Sequence, residues 1–382
     1  MTSTNSKVFD ELGLNRVING RSWVTILGGS RMLPEVREAM FDAADTFIDF
    51  NELNKRAGDR IAEYTGAEAG LVVSGASGGL LMQAAACMAG SDSDRIFQLP
   101  DTTGMKDDIL LYKNHRFGYE ICYRTSGAKL REWGHGERPL DEQLDAAIDD
   151  NTAAVAYIIG PWLSCELPLT EVVAIAHRHS VPVLVDGAAM LPPAENLTKY
   201  ISEGADMVTF SGGKGVRGPQ STGILAGRTD LIEAARLNMS PHQGVGRASK
   251  VAKEEIAGLI TALERFVSID HEEEWATWRS WSETIAEAGE GIPGLRTVIE
   301  DGDPNRQGPT AVFYFDDDWD GSSSVEIQER LASGSMPIHV GTGSYVNELY
   351  VSPVALERGE AEIVAEALHT EFSTSSNQFP RV

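Results

Sequence analysis

Cysteine, basic residues and long apolar runs are all scarce in this chain, and each scarcity argues against a class of protein. The three cysteines, Cys87, Cys122 and Cys165, form no CxxC pair, which disfavours a disulfide framework and favours a reducing cytoplasm. No apolar run is long enough to span a bilayer, and no basic-then-apolar leader begins the chain, so neither membrane insertion nor secretion is expected. With 32 lysines and arginines against 57 acids, a net charge of −25, nucleic-acid binding is disfavoured.

A metal site is not predicted either. The run His271-Glu272-Glu273-Glu274 lacks the HExxH spacing that places two histidines on one face of a helix. It is interpreted as a solvated helix face. The 382 residues are enough for two domains with a sizeable core.

The middle of the chain alternates apolar runs with amphipathic segments, which is typical of βαβ units on a parallel sheet. Beyond about residue 249, long helices and separate strands, predicted at 311–315 and near 345–351, indicate a smaller α+β domain. We expect an N-terminal segment over 1–45, a large domain over 46–250 and a long helix with a small C-terminal domain over 251–382. The predicted strands of the large domain are 71–74, 108–112, 129–133, 155–159, 183–186, 206–210 and 222–226.

Lys214 stands alone in a glycine-dense turn, directly after the predicted strand 206–210. The preceding strand ends in Asp186. An acid at a strand end, followed by Ser-x-x-Lys, is the arrangement that pyridoxal 5'-phosphate (PLP) enzymes use: the lysine bonds the aldehyde, and the acid pairs with the pyridinium nitrogen. The competing interpretation of Lys214 is a solvated loop lysine.

Three further features fit that cofactor. Gly75, Ala76 and Ser77 join a strand to a helix, where backbone amides and a hydroxyl can hold a phosphate; a tight strand–helix turn is the alternative. Ser211, three residues before Lys214, is placed to add a hydroxyl to the same phosphate. His115 follows the strand 108–112, where it either stacks on the pyridine ring or is a structural histidine.

An anionic substrate needs local positive charge in so acidic a chain. Arg31 lies in a glycine-rich segment, Arg217 lies in the Lys214 turn, and Arg247 lies in a glycine-basic turn before a long helix. These three arginines are the candidate substrate-binding residues. Ordinary cationic residues at a helix start are the alternative for Arg247.

Several ordered phrases stand out besides the Lys214 segment: Thr25-Ile26-Leu27-Gly28-Gly29-Ser30, Tyr64-Thr65-Gly66-Ala67-Glu68-Ala69, Leu99-Pro100-Asp101-Thr102, Ala189-Met190-Leu191-Pro192-Pro193 and Gly246-Arg247-Ala248-Ser249-Lys250-Val251-Ala252-Lys253-Glu254-Glu255. Together with the Lys214 segment, these phrases resemble the selenocysteine-synthase-like (SelA-like) branch of fold-type-I PLP enzymes, and within it the D-glucosaminate-6-phosphate ammonia-lyase subgroup. The resemblance runs from about Val17 to Phe266 and more loosely to the C-terminus.

The resemblance implies an α/β fold of the aspartate aminotransferase type, with a mostly parallel seven-stranded sheet and a small α+β C-terminal domain. It implies that Lys214 links the cofactor, that Asp186 partners the pyridinium and that His115 stacks on the ring. Active sites of fold type I usually form between subunits, so it also implies a homodimer or a higher homo-oligomer.

The function expected from the resemblance is PLP-dependent α,β-elimination from a β-hydroxy or sugar-derived amino acid, giving a 2-oxo acid and ammonia. Racemisation or retro-aldol cleavage of a β-hydroxy amino acid is one alternative, because all three reactions share their first steps. A non-catalytic binding protein with a PLP-enzyme fold is another.

Overall fold

The chain divides into two compact units in a computed structural model that describes residues 6–160, 163, 165–301, 307–343 and 347–375. One unit comprises residues 29–269, and the other combines residues 1–28 with 270–382. Within the described residues, no helix has both the length and the apolar character needed to cross a membrane.

Helices and strands alternate along most of the part of the chain that the structure describes. The α-helices are α1 Lys7–Glu11, α2 Pro34–Ala44, α3 Phe50–Thr65, α4 Gly75–Ala89, α5 Ser93–Gln98, α6 Ile121–Thr125, α7 Leu140–Ala147, α8 Leu169–Arg178, α9 Asn196–Ser202, α10 Thr229–Asn238, α11 Lys253–Ser268, α12 His271–Ala286, α13 Ser324–Ser333 and α14 Glu360–Ser375. The strands are β1 Ile18–Asn19, β2 Ala69–Ser74, β3 Asp108–Tyr112, β4 Lys129–Trp133, β5 Thr152–Ile158, β6 Val183–Asp186, β7 Met207–Ser211, β8 Thr222–Gly227, β9 Leu295–Glu300, β10 Thr310–Phe315, β11 Ile338–His339, β12 Gly341–Thr342 and β13 Glu348–Val351. Short 3-10 turns occur at Thr25–Leu27, Lys113–His115, Gly118–Glu120, Glu287–Gly289 and Pro353–Ala355.

A seven-stranded sheet organises the unit of residues 29–269. Its strand order is β2-β8-β7-β6-β5-β3-β4. Strand β8 runs antiparallel to both of its neighbours, and the other pairings are parallel. The predicted mostly parallel seven-stranded sheet is therefore confirmed.

The composition of the strands and of the covering helix explains how this sheet is buried. Ile109, Leu110 and Leu111 are consecutive and fully buried, as expected for a strand covered on both faces. Helix α4 consists of small and apolar residues because it lies close against the sheet. A Cβ atom on its Gly79 would lie only 2.1 Å from the Thr209 hydroxyl oxygen.

The other unit contains a four-stranded antiparallel sheet in the order β12-β13-β10-β9, and a separate parallel pairing of β1 with β11. Phe313 and Phe372 pack in its core with ring centroids 5.1 Å apart. The strand predicted near 345–351 is observed from Glu348, and its predicted start at Tyr345 lies outside the described residues. Strand β9 was not predicted.

Candidate active site

The strand ends bring the candidate residues to one edge of the seven-stranded sheet. Asp186 ends β6, and Ser211 ends the neighbouring parallel strand β7. Gly223 of β8 pairs with Ser211 on one side and with Val73 of β2 on the other, which brings the end of β2 to the same edge. This carboxyl edge is where ligands bind in open α/β sheets.

Asp186 is a buried acid whose charge is poorly solvated. Its side chain is 3% exposed, and its Oδ1 accepts a hydrogen bond from the Ala188 amide at 3.0 Å. Burial raises the pKa of Asp186 to about 6, although the Ala188 bond and the Lys214 charge both lower it. Such a carboxylate is stabilised by a cationic partner, as a pyridinium nitrogen would be.

Lys214 lies in a tight, half-buried turn. Burial lowers the pKa of its ε-amine below the ordinary lysine value, and the Asp186 charge opposes that shift. The backbone is closed by two hydrogen bonds: the Arg217 amide donates to the Lys214 carbonyl at 2.9 Å, and Gly218 donates to Gly212 at 2.8 Å. A half-buried lysine whose pKa is lowered is a better nucleophile and proton acceptor than a fully solvated lysine.

The glycines of this turn are required by close packing. A Cβ atom on Gly213 would lie 2.3 Å from the Gln220 Cα atom. A Cβ atom on Gly215 would lie 2.3 Å from the Leu191 carbonyl oxygen. These contacts hold the backbone around Lys214 in one conformation.

His115 is buried between two tyrosine rings. Tyr112 and Tyr157 meet it edge-on, with centroids 5.4 and 5.2 Å away. Its Nδ1 accepts a hydrogen bond from the Ile158 amide at 3.3 Å, and Ile158 is the register partner of Asp186. Strand β5 therefore connects His115, in the turn after β3, with the end of β6 where Asp186 lies.

The protonation state of His115 follows from these contacts. Burial lowers the pKa of the imidazole to about 4. Because Nδ1 accepts a hydrogen bond, the proton of the neutral ring lies on Nε2. That nitrogen is buried and has no hydrogen-bond partner among the described residues.

The predicted phosphate-binding residues Gly75, Ala76 and Ser77, here called the phosphate cup, form the first turn of α4. Gly75 has φ +65°, and nothing lies within 4 Å of the position its Cβ would take. Gly223 is needed beside it, because a Cβ there would lie 2.4 Å from the Gly75 carbonyl carbon. Ser77 is hydrogen-bonded to the thiol of Cys122. The amides of a helix N-terminus, with open space in front of Gly75, fit a phosphate group.

The residues present thus fit PLP at each of its ends. The cup suits the phosphate, buried Asp186 suits the pyridinium nitrogen, and half-buried Lys214 suits the aldehyde. The buried, unpartnered Nε2 of His115 is a donor that a bound molecule would satisfy.

The three candidate arginines differ in their settings. Arg217 is in the Lys214 turn, at φ +59°. Arg31 is exposed and follows Ser30, whose amide and hydroxyl both donate to the Gly213 carbonyl at 3.0 Å. Arg247 is exposed and donates to the Ser240 hydroxyl at 3.0 Å. Arg31 and Arg217 are thus tied to the lysine turn, whereas Arg247 is anchored elsewhere.

Sequence reasoning missed the residues that hold the site in shape. Tyr112 and Tyr157 are the last and penultimate residues of their strands, a position that could have drawn attention to them. No local sequence pattern indicates the roles of Ile158, Ser30 and Gly223. They depend on contacts between segments that are distant in the sequence.

Comparison with known proteins agrees with the geometry. The family model for L-seryl-tRNA selenium transferase (SelA) matches residues 117–283. The D-glucosaminate-6-phosphate ammonia lyase of Salmonella typhimurium is 29% identical over 368 residues, covering 94% of this chain and 96% of that protein. The 5'-C-glycyluridine monooxygenase-decarboxylase of a Streptomyces species is 30% identical over 376 residues, covering 96% and 92%.

Solved structures show the same fold. A structure of D-glucosaminate-6-phosphate ammonia-lyase has a TM-score of 0.84 and 28% identity, covering 99% of this chain and 100% of that chain. Serine palmitoyltransferase of Sphingomonas wittichii, at 15% identity, has a TM-score of 0.63 and covers 94% of this chain and 88% of that chain. Another solved serine palmitoyltransferase contains PLP.

Fold and site together define a PLP-dependent enzyme of fold type I, and the cofactor is PLP. More narrowly, the chain belongs to the family that includes the SelA selenium transferases, D-glucosaminate-6-phosphate ammonia lyase and 5'-C-glycyluridine monooxygenase-decarboxylase. The expected family, fold class and cofactor are therefore confirmed.

Proposed function

We propose that this enzyme is an ammonia lyase that removes water and then ammonia from a β-hydroxy or sugar-derived amino acid, leaving a 2-oxo acid. The observation that carries the proposal is the half-buried Lys214 beside the buried acid Asp186 at the carboxyl edge of the sheet. Similarity to an ammonia lyase along 94% of the chain supports this reaction type.

Bound PLP supplies the electron sink that makes the substrate Cα–H bond acidic. Lys214 and Asp186 are the residues proposed to exploit it. The Lys214 amine, whose neutral form is favoured by burial, accepts the Cα proton. Asp186 holds the proton on the pyridinium nitrogen through an ion pair.

Lys214, and not His115, donates the proton to the leaving hydroxyl group. With a pKa lowered to about 4, His115 is neutral near pH 7 and has no acidic proton to give. Its proposed role is to cover the ring face and to donate a hydrogen bond from Nε2. Lys214 returns the proton that it took from Cα, so the hydroxyl leaves as water, and later hydrolysis of the imine releases ammonia.

The cup and the three arginines complete the proposed binding site. The amides of Gly75 and Ala76 and the hydroxyls of Ser77 and Ser211 hold the cofactor phosphate. A substrate carboxylate or phosphate is held by positive charge from the candidates Arg31, Arg217 and Arg247.

The test is an assay of the holoenzyme with candidate β-hydroxy amino acids and amino sugar acids, measuring 2-oxo acid and ammonia together. Equal amounts of the two products support elimination. An aldehyde product would indicate retro-aldol cleavage, and loss of optical rotation without products would indicate racemisation. Borohydride reduction followed by peptide mapping should label Lys214, and Lys214→Ala should be inactive; turnover by that variant without added amine would contradict the assignment.

A second candidate is oxidative decarboxylation of a substrate that carries a glycyl group. It is favoured by the similarity to 5'-C-glycyluridine monooxygenase-decarboxylase, at 30% identity along 96% of this chain. The two candidates differ in their stoichiometry, since only the second consumes O2 and releases CO2. An oxygen electrode and a CO2 assay therefore separate the two candidates.

We also propose that the enzyme is a cytoplasmic homodimer or higher homo-oligomer. Phe41, on α2, is 78% exposed, and Phe47 and Ile48, between α2 and α3, are 101% and 55% exposed. Neighbouring exposed apolar side chains of this size are typical of protein interfaces. All three cysteines are free thiols, as expected in a reducing compartment.

A further inference from the structure

Residues 19–22, in the unit formed by the chain ends, make a tightly held turn. The Asn19 side chain both accepts and donates a hydrogen bond. Its Oδ1 accepts from the Arg21 amide at 3.0 Å, and its Nδ2 donates to the Ser22 carbonyl at 2.9 Å. Ser22 has φ +82°, a conformation that side-chain-bearing residues rarely adopt. Its hydroxyl donates to Gln307 at 2.7 Å. Strain of this kind persists where the surroundings impose it, and it is often found at functional sites.

The backbone on both sides of this turn is also fixed. The Gly20 amide donates to the His339 carbonyl at 2.8 Å, and the Gly20 carbonyl accepts from the Ser352 amide at 2.8 Å. Asn19 and His339 are register partners in the β1–β11 pairing. Arg21 therefore projects from a rigid backbone, close to His339.

The Arg21 guanidinium is partly buried without an acidic partner among the described residues. Its Nε is buried and makes no hydrogen bond there. Many of the other arginines that the structure describes are paired with carboxylates, among them Arg16, Arg56, Arg60, Arg95, Arg116, Arg131, Arg178, Arg228, Arg236, Arg265, Arg279 and Arg330. A buried, unbonded donor on a charged group is costly, so it needs a partner from outside.

His339 supplies a second donor at the same place. Burial lowers the pKa of its imidazole, and the positive charge of Arg21 lowers it further, which shows that the two groups interact. A neutral imidazole beside the guanidinium still offers an N–H as a second donor to an anion. A planar guanidinium beside an imidazole is suited to a carboxylate or a phosphate.

We propose that Arg21, together with His339, binds an oxyanion of a small molecule, either a carboxylate or a phosphate monoester. Arg21 is not among the candidate substrate-binding arginines predicted from the sequence, which are Arg31, Arg217 and Arg247. Because the proposal concerns binding alone, it stands or falls independently of the reaction assigned above.

The test uses the full-length holoenzyme with histidine labelled at Cε1 with carbon-13, observed by NMR. His339→Gln assigns the His339 signal. Inorganic phosphate and acetate are titrated separately at constant ionic strength. We expect the His339 signal to shift saturably with at least one anion, and its pKa to rise when the anion is bound.

Variants of Arg21 show whether the response depends on its guanidinium. Arg21→Met should weaken anion binding at least about tenfold, and Arg21→Lys should retain part of it. Arg330→Met is the matched control, since it removes an equal charge from the same unit, at a residue paired with Glu371. Thermal melting curves should show that each variant is folded.

The two anions distinguish the two sources of the oxyanion. Tighter binding of phosphate assigns a phosphate monoester, and tighter binding of acetate assigns a carboxylate. The proposal is overturned if neither anion shifts the His339 signal, or if Arg21→Met responds as the unchanged protein does. A change in KM with constant kcat in Arg21→Lys would further identify the bound group as part of the substrate.

Discussion

The carboxyl group of Asp186 and the ε-amine of Lys214 interact through space in an environment that disfavours the charge of both. Burial raises the pKa of Asp186 and lowers that of Lys214, and the attraction between the two opposes each shift. Both groups are therefore poised to change protonation state when a cationic ring and a substrate arrive.

Replacing Asp186 by asparagine should lower kcat about a hundredfold, because a neutral amide cannot keep the pyridinium nitrogen protonated. The measurement is steady-state turnover, with PLP content checked by absorbance. Asp230→Asn is the control, since Asp230 is an exposed partner of Arg228. Activity in Asp186→Asn equal to that of the control would contradict the assigned role.

The stability of the apoprotein should depend on pH through Asp186. Its pKa is raised from 3.8 to about 6, so the folded protein retains a proton that the unfolded chain has released. The free energy of unfolding therefore falls as the pH rises through this range, by about 3 kcal/mol from this residue. Asp186→Asn removes this contribution.

Urea unfolding of both apoproteins at pH values below 4 and near 7 tests this prediction. Relative to Asp186→Asn, the unchanged protein should lose about 3 kcal/mol between the two conditions. A constant difference between the two proteins would show that Asp186 does not carry a raised pKa.

His115 should contribute to cofactor binding through its ring and not through its charge. His115→Ala should weaken PLP binding about tenfold, whereas His115→Phe, which keeps an aromatic ring, should weaken it less. The dissociation constants are measured by titrating apoprotein with PLP and following the visible band. Equal losses in the two variants would argue against stacking.

The Lys214 turn should not tolerate side chains at its glycines. Gly215→Ala places a Cβ 2.3 Å from the Leu191 carbonyl oxygen and should destabilise the fold by about 2 kcal/mol. Gly118→Ala, where nothing lies within 4 Å, should change the stability by less than about 0.5 kcal/mol. Thermal unfolding of both variants checks the difference, and equal melting temperatures would refute the packing argument.

Phe47 should contribute to subunit association. Its side chain is 101% exposed beside Phe41 and Ile48, so Phe47→Ser should shift the oligomer toward monomer. Light scattering after size exclusion measures the mass at several concentrations. Val325→Ser, at a residue 51% exposed on α13, is the control and should not change the mass. A monomeric unchanged protein would contradict the proposed assembly.

Local patterns were sufficient to predict much of the architecture. Apolar runs such as Ile109-Leu110-Leu111 have the length and flanking turns of buried strands, and all seven strands of the large sheet were predicted within a few residues. The elements that were not predicted are helices α1, α2, α3, α5, α6, α9 and α10 and strands β1, β9, β11 and β12. The residues of β9 are only partly buried, so that strand lacks the strong apolar signal of a core strand.

The sequence by itself determined the family and the cofactor, and it predicted Asp186 and Lys214 as the residues most directly tied to that cofactor, because both lie in motifs with a fixed spacing around strand ends. Only the tertiary structure decided the chemical state of those residues. The pKa values of Asp186 and His115 depend on burial among distant segments, and the tautomer of His115 depends on an amide of β5. The setting of the Arg21 guanidinium, which has no acidic partner among the described residues, likewise arises only when β1 meets β11, because solvation and hydrogen bonding depend on neighbours in space.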